Sequence, residues 1–359
     1  MSAVRTLARR FAQGRQVDFW MRELDPTWSL TTLRARVVDV VVETHDVSTF
    51  VLAPNALWPG HRAGQFVSVE VEVDGVRMER CYSISSAPGD ERIAITVKRV
   101  AGGRVSSWMH DRVRRGDVLR LGMPAGEFVL PESGVREQKL LLLSGGSGIT
   151  PVMAMLRDLS RRDAVRDIVF VHAARSRNDL VFEREMAGIA ALHEGLRLRY
   201  FLENEPAGGG RLDAAKLLAA VPDLGERQTM LCGPTGMMDA LSPTWTDAGL
   251  AHRLKTERFA PAPRLAVAEG ATAPARVKLS LVRSGKSVVT DRSETLLEQL
   301  ERAGERPESG CRMGICNTCL CKKRSGVVQD IVTGELSSAP DEDIRLCVSR
   351  PLTDVELAL

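Results

Sequence analysis

Near the C-terminus, Cys311, Cys316 and Cys319 stand at C-x4-C-x2-C spacing, and Cys347 follows after a further structured segment. Two irons bridged by sulfide need four thiolates in a small volume. Three from one tight loop and a fourth from elsewhere is the ligand pattern of a plant-type [2Fe–2S] cluster. Gly310 and Gly314 are small enough for such a loop. A four-cysteine zinc site is the rival, but it usually takes two paired C-x2-C knuckles and only one is present. The chain has 7 cysteines, so Cys81, Cys232 and Cys321 are left over. Cys321 is expected to be a free thiol rather than a fifth ligand.

A cluster of this kind passes electrons, so the upstream chain should hold their source. A flavin asks for a cation at its phosphates, a flat aromatic on its ring and a hydroxyl near its reactive N5. Arg80-Cys81-Tyr82-Ser83 offers the three in order. Alternation along a strand puts Arg80 and Tyr82 on one face. A surface arginine beside a core tyrosine would read the same way, so the motif needs company. Lys98 supplies some, followed by Gly102-Gly103-Arg104-Val105-Ser106-Ser107. There a glycine loop opens a helix and offers free backbone N–H groups and the helix dipole to a pyrophosphate.

The same logic returns in Gly145-Gly146-Ser147-Gly148-Ile149-Thr150-Pro151, which follows one strand and opens another helix. Glycines let a phosphate approach the backbone, Thr150 is placed to cap, and proline is favoured at the first helical position. The spacing is not G-x-G-x-x-G, so the ordinary dinucleotide fingerprint is not met. Cys232-Gly233-Pro234-Thr235-Gly236 ends a further strand, and strand C-termini line the ligand crevice of a parallel sheet. Cys232 is therefore a candidate neighbour of a nicotinamide, although a small buried hydrophobe at a strand end is an equal competitor. Arg175 and Arg177 follow the second strand of that sheet. Arginine there favours the 2′-phosphate of NADPH over the free ribose of NADH; NADH is the alternative.

The elements needed to position these groups can be read from period and punctuation. Residues 34–132 hold six short strands, from Arg34–Val42 to Val118–Gly122, with turn signals between them and one helix over Val105–Val113. That pattern predicts an antiparallel Greek-key β-barrel. Residues 133–262 alternate apolar strands (Lys139–Leu143, Asp167–His172, Leu196–Leu202, Gln228–Cys232) with helical segments, which predicts a doubly wound parallel α/β sheet. Residues 263–275 have linker composition. Residues 276–359 carry a hairpin, an amphipathic helix, the cysteine loop and a closing strand, as a β-grasp ferredoxin-like domain would. Residues 1–33 are an appendage. Val4, Leu7, Ala8 and Phe11, then Val17, Trp20, Met21 and Leu24, form two apolar helical faces. These faces are expected to pack on the barrel. The other reading, weighted by Arg5, Arg9, Arg10 and Arg15, is a basic amphipathic docking surface for a membrane or a membrane-bound partner.

A chain of 359 residues with formal net charge +3 has room for two or three domains and is too weakly basic to argue for nucleic acid. The N-terminus lacks a continuous apolar h-region, and no apolar run reaches the roughly 20 residues that span a bilayer. Free thiols beside an assembled cluster suit a reducing cytoplasm.

In this order the motifs resemble the ferredoxin–NADP reductase superfamily. More narrowly, the chain from residue 34 onward is similar to reductases with a C-terminal plant-type ferredoxin domain. The residues that carry the likeness are Arg80-Cys81-Tyr82-Ser83, Gly145 to Pro151, Cys232-Gly233-Pro234, Glu257-Arg258-Phe259 and the four cluster cysteines. The resemblance implies FAD (FMN being the alternative) held by Arg80, Tyr82, Ser83, Lys98, Gly103, Val105 and Ser106. It implies coenzyme at Gly145, Gly146, Gly148, Thr150, Pro151, Arg175, Arg177, Gly233 and Pro234. Ser83, Cys232 and Glu257 would lie at the hydride-transfer centre, with Phe259 near flavin and nicotinamide. The extension and cluster loop also resemble actinobacterial NADPH oxidoreductases that serve a membrane stearoyl-CoA desaturase. That likeness implies a protein acceptor and a position at the inner face of the membrane. Reductase components of alkane hydroxylase, cytochrome P450 or Rieske systems share the domain order, and a cluster-based redox sensor is the reading from another class.

Overall fold

The computed structural model describes residues 14–131, 139–205, 209–259, 276–312, 314 and 317–359. It divides into two compact units, one ending at Phe259 and the other beginning at Ala260. The linker expected over 263–275 and the apolar face expected over residues 4–11 lie outside the described residues.

The first unit opens with helix α1 (Gly14–Leu24), which stops ahead of Asp25-Pro26 as the sequence requires. Its apolar stripe meets the expectation only in part: Val17 and Met21 are half-buried, and Trp20 and Leu24 are not. The side chain that goes inward is Asp18, whose carboxylate accepts from Ser29 Oγ at 2.9 Å and from the Leu30 N–H at 2.6 Å. Trp20 and Leu24 point to solvent at 67 % and 79 % exposure. A buried carboxylate must be hydrogen-bonded, and the turn after the helix supplies those donors, so polar bonding fixes the orientation rather than the apolar stripe.

Strands β1 (Arg34–Thr44), β2 (Val47–Pro54), β3 (Phe66–Val73), β4 (Val76–Ser83), β5 (Ile93–Lys98) and β6 (Val118–Leu121) form one antiparallel sheet in the order β4-β3-β6-β1-β2-β5. The Ile84–Ile95 bridge joins its two edges, which closes the barrel. The last strand sits between the first and the third, as a Greek key demands. Alternation sends Ala35, Val37, Val67, Val69, Ile93 and Ile95 inside, and helix α2 (Arg104–Arg112) plugs one end through Val105 and Met109.

Strands β7 (Leu140–Gly145), β8 (Ile168–Ala174), β9 (Leu196–Leu202), β10 (Gln228–Cys232) and β11 (Leu254–Glu257) form a parallel sheet in the order β11-β10-β7-β8-β9. Helices α3 (Ile149–Arg161) and α4 (Glu183–Leu192) cover one face, and α5 (Ala214–Ala220) and α6 (Thr235–Leu241) cover the other. The chain leaves β7 toward β8 and β9, then returns to its other side as β10. That reversal places a ligand crevice at the C-terminal ends of β7 and β10.

The second unit has strands β12 (Val277–Leu281), β13 (Lys286–Thr290), β14 (Leu320–Ser325), β17 (Glu342–Arg345) and β19 (Val355–Leu357) in the order β13-β12-β19-β14-β17. Helix α7 (Leu296–Arg302) packs Leu296, Leu297 and Leu300 into its core, which is the β-grasp arrangement. Thr295 and Glu298 close a reciprocal capping box on that helix, worth about 1 kcal/mol. A second small sheet joins β16 (Leu336–Ser337), β15 (Val328–Asp330) and β18 (Ser349–Pro351). Among the described residues, no helix is long and apolar enough to cross a membrane.

Candidate functional site

The flavin motif lies where β4 leaves the barrel. Tyr82 packs partly on the barrel core, and burial pushes its phenol well above the usual range. Arg80 is half-buried on the same face, its guanidinium donating to Glu79 O at 2.7 Å. Gly103 precedes α2 in an extended conformation, with no side chain capping the helix. The first-turn N–H groups of α2 are therefore free for an anion. A Cβ on Gly103 would meet Ser106 Oγ at 2.7 Å. Val105 faces the core, and the Ser106 hydroxyl is used within its own loop, donating to Gly103 O and accepting from the Val100 N–H. These two residues offer a ligand their backbone.

Ser83, Cys232 and Glu257 come together from two subdomains. Cys232 and Glu257 are register partners on β10 and β11. Burial lifts the Glu257 carboxyl to about 8, while the Ser83 hydroxyl, arriving from the barrel, opposes the rise. Burial and then the neighbouring Glu257 push the Cys232 thiol up, so it stays a neutral thiol. Ser83 Oγ and Glu257 Oε2 are both buried without a completed hydrogen bond. Orphaned buried polar atoms are costly; a flavin ring edge and a nicotinamide carry the donors and acceptors that would satisfy them, so the pair fits those groups. Phe259, two residues beyond Glu257, is 38 % exposed.

The same row continues through residues that the sequence did not single out. Ser144 is the register partner of Cys232 and His172 of Ser144. Ser144 Oγ and His172 Nδ1 are 2.8 Å apart, and burial lowers the histidine to about 4, so it is neutral.

The glycine loop forms a single 3-10 turn, Gly146–Gly148, that runs into α3. A Cβ on Gly148 would sit 2.3 Å from Cys232 O, and one on Gly145 would sit 2.7 Å from Met237 Sδ. These two glycines are required because the loop interlocks with the Cys232-Gly233-Pro234 turn. Only Gly146, at φ +50° with nothing within 4 Å, has the open space a phosphate needs. Thr150 does not cap: it lies within α3 and donates to Ser147 O at 3.1 Å. Pro151 falls at the third helical residue rather than the first. Gly148→Ala should therefore cost about 3 kcal/mol of stability through backbone overlap. Gly146→Ala should cost only about 1–2 kcal/mol for its left-handed φ. Urea unfolding of the two variants checks the order.

Beside this loop is a cavity of about 390 Å³, lined among others by Gly146, Ser147, Lys98, Arg175, Asp46 and Arg211. Arg175 is in it but engaged, 2.6 Å from Asp179 and 3.5 Å from Asp46. Arg177 is not among the lining residues and pairs with Glu183. Lys98 lies 3.4 Å from Asp46, so it borders the coenzyme cavity as well as the flavin loop. Arg211 lines the cavity with Nη2 near Gly236, and no carboxylate of the described residues pairs with it. Asp46 and Arg211 had no local motif to announce them, since a turn aspartate and a loop arginine are ordinary until the fold brings them together.

In the second unit, Cys311, Cys319 and Cys347 are all buried; Cys316 lies outside the described residues. The Cys347 thiol is pushed far up, first by its hydrogen bond with Cys319, then by burial and by the charges of Cys319 and Cys311. Three sulfurs thus converge on one volume. Arg312, Gly314 and Asn317 take left-handed φ values of 58°, 77° and 57°, which bends the loop around that volume. Arg312 is tied to Glu301 at 2.6 and 3.0 Å, and Arg345 donates to Gly314 O. Cys321 faces the core, where burial raises its thiol.

The "Oxidoreductase FAD-binding domain" family matches residues 34–130, the "Oxidoreductase NAD-binding domain" family matches 142–242, and the "2Fe-2S iron-sulfur cluster binding domain" family matches 281–352. The chain is 37 % identical to an NADPH oxidoreductase of Mycobacterium tuberculosis over 99 % of its own length and 92 % of that protein's. It is 35 % identical to the glycine betaine monooxygenase reductase subunit of Pseudomonas aeruginosa, over 92 % and 96 % of the two chains. In structure it resembles phthalate dioxygenase reductase with a TM-score of 0.59 at 23 % identity, over 92 % of this chain and 98 % of that one.

Proposed function

We propose that this chain, which belongs to the ferredoxin–NADP reductase family of three-domain NAD(P)H oxidoreductases, delivers electrons from NADPH to an oxygenase, namely a membrane fatty-acyl desaturase. The cofactors are FAD, NAD(P)H and a [2Fe–2S] cluster. When bound, the flavin accepts a hydride and the cluster releases electrons one at a time. The observation that carries the reading is the meeting of Ser83, Cys232 and Glu257 beside an uncapped glycine-loop cavity.

The residues divide the work. Arg80, Tyr82 and the α2 N-terminus hold the flavin. Gly146 and the first turn of α3 take the coenzyme phosphates. Ser83 and the protonated Glu257 donate hydrogen bonds at the flavin edge, and Cys232 packs beside the nicotinamide as a neutral thiol. Cys311, Cys316, Cys319 and Cys347 hold the cluster.

The choice of NADPH is supported by the arginines at the cavity, Arg175 and Arg211, and by the name of the mycobacterial relative. Arg175→Ala should raise KM for NADPH about tenfold, the loss of one charge-assisted phosphate contact, and change KM for NADH much less. Equal effects on both would remove Arg175 from coenzyme choice. The acceptor is tested by reconstitution: with NADPH, the purified chain should support turnover of a membrane acyl-CoA desaturase. Turnover only with a monooxygenase, the kind of system that the name of the Pseudomonas relative gives, would favour a monooxygenase as the acceptor instead.

A further inference from the structure

We propose that the outward face of α1, with Phe19, Trp20 and Leu24 and with Trp28 in the turn beyond, docks the protein on a bilayer containing anionic lipid. This rests on the acceptor reading only for the reason a membrane would matter.

The face is built, not frayed. Asp18 binds Ser29 and Leu30, Asp25 pairs with Arg36 at 2.8 Å, and Asn55 Nδ2 donates to Thr27 O and Thr32 O. The helix and its turn are thereby fixed to the barrel with their large apolar groups facing out. Phe19, Trp20, Leu24 and Trp28 are 50, 67, 79 and 49 % exposed, and the Phe19 and Trp20 rings are in edge contact, 5.4 Å apart. An outward cluster of large apolar side chains of this kind marks an interaction site.

Charge and residue type select the occupant. Residues 1–17 contain Arg5, Arg9, Arg10 and Arg15 and no acid. Arginines near a surface are drawn to anionic headgroups, while tryptophan and phenylalanine settle at headgroup depth. The exception on this face is Glu23, which is exposed and falls between Phe19 and Trp20 in helical projection.

The test uses the full-length, cofactor-loaded protein and sedimenting vesicles of phosphatidylcholine alone or mixed with phosphatidylglycerol. The protein should pellet with the mixed vesicles, not with phosphatidylcholine alone, and be released by high salt. The Trp20→Ser/Leu24→Ser double variant should bind at least about tenfold more weakly. Glu23→Gln should bind about fivefold more tightly, the effect of removing one repelled charge. NADPH-driven cytochrome c reduction without vesicles should be unchanged in the double variant, so failure of docking and failure of the reductase reading are told apart. Absence of wild-type binding, equal binding by the double variant, or a patch-dependent change of mass in solution would overturn the proposal.

Discussion

Cys347→Ser should lower NADPH-driven cytochrome c reduction by about 100-fold or more, the scale of losses when a metal centre is disturbed. Reduction of the flavin by NADPH should continue near the wild-type rate. The reason is architectural. Cys347 lies in the second compact unit, buried against Cys319, whereas every group placed at flavin and coenzyme lies in the first. Serine is a poor ligand for iron, so the iron–sulfur absorption should disappear with the activity. Ferricyanide, which can draw electrons from a flavin directly, provides the control and should still be reduced. If cytochrome c reduction survived at the wild-type rate, the cluster would not be the exit.

Loss of the polar pair proposed for the flavin edge, Ser83 and Glu257, should have an effect almost as large. Ser83→Ala should slow flavin reduction by about 100-fold, as removal of one oriented donor at a developing charge typically does. Glu257 gives this centre its pH dependence. Its carboxyl titrates near 8 in the folded protein against an ordinary value of 4.5. Below 4.5 both folded and unfolded chains are protonated. Between 4.5 and 8 only the fold keeps the proton, so this group's contribution to stability falls as pH rises and is fully lost above 8. The span corresponds to several kcal/mol at most. Hydride transfer should follow the same proton, with the flavin-reduction rate declining above about pH 8. Glu257→Gln keeps a donor at every pH and should hold its rate within a few-fold while flattening that decline. Stopped-flow traces across the pH range decide this. A wild-type profile with no inflection near 8 would show that the carboxyl is not the titrating donor.

Much of this was legible in the sequence for physical reasons that can be named. The barrel and the parallel sheet follow from periods of two and from continuous apolar runs such as Leu140 to Leu143. The cluster follows from a ligand spacing that few other chemistries need. Glu257 was expected near the flavin only through family likeness, and its register with Cys232 was not foreseen, because parallel register between strands 25 residues apart leaves no local trace. Thr150 was misplaced because a helix can begin within a 3-10 turn, which shifts the cap by a few residues. Arg175 was expected to face a phosphate, and its pairing with Asp46 left no trace in the sequence because Asp46 comes from a different subdomain. The α1 stripe looked like a packing face because periodicity reports that a face exists, not which side of it meets the core. The buried carboxylate of Asp18 divides the stripe, with Val17 and Met21 half-buried and Trp20 and Leu24 facing out.

Anaerobic mixing of the cofactor-loaded protein with NADPH, followed at the flavin and iron–sulfur bands together, tests the central claim most directly. The flavin band should bleach first and the iron–sulfur band second, with the second phase absent in Cys347→Ser and the first preserved. Bleaching of neither band, or iron–sulfur bleaching that precedes that of the flavin, would contradict the account.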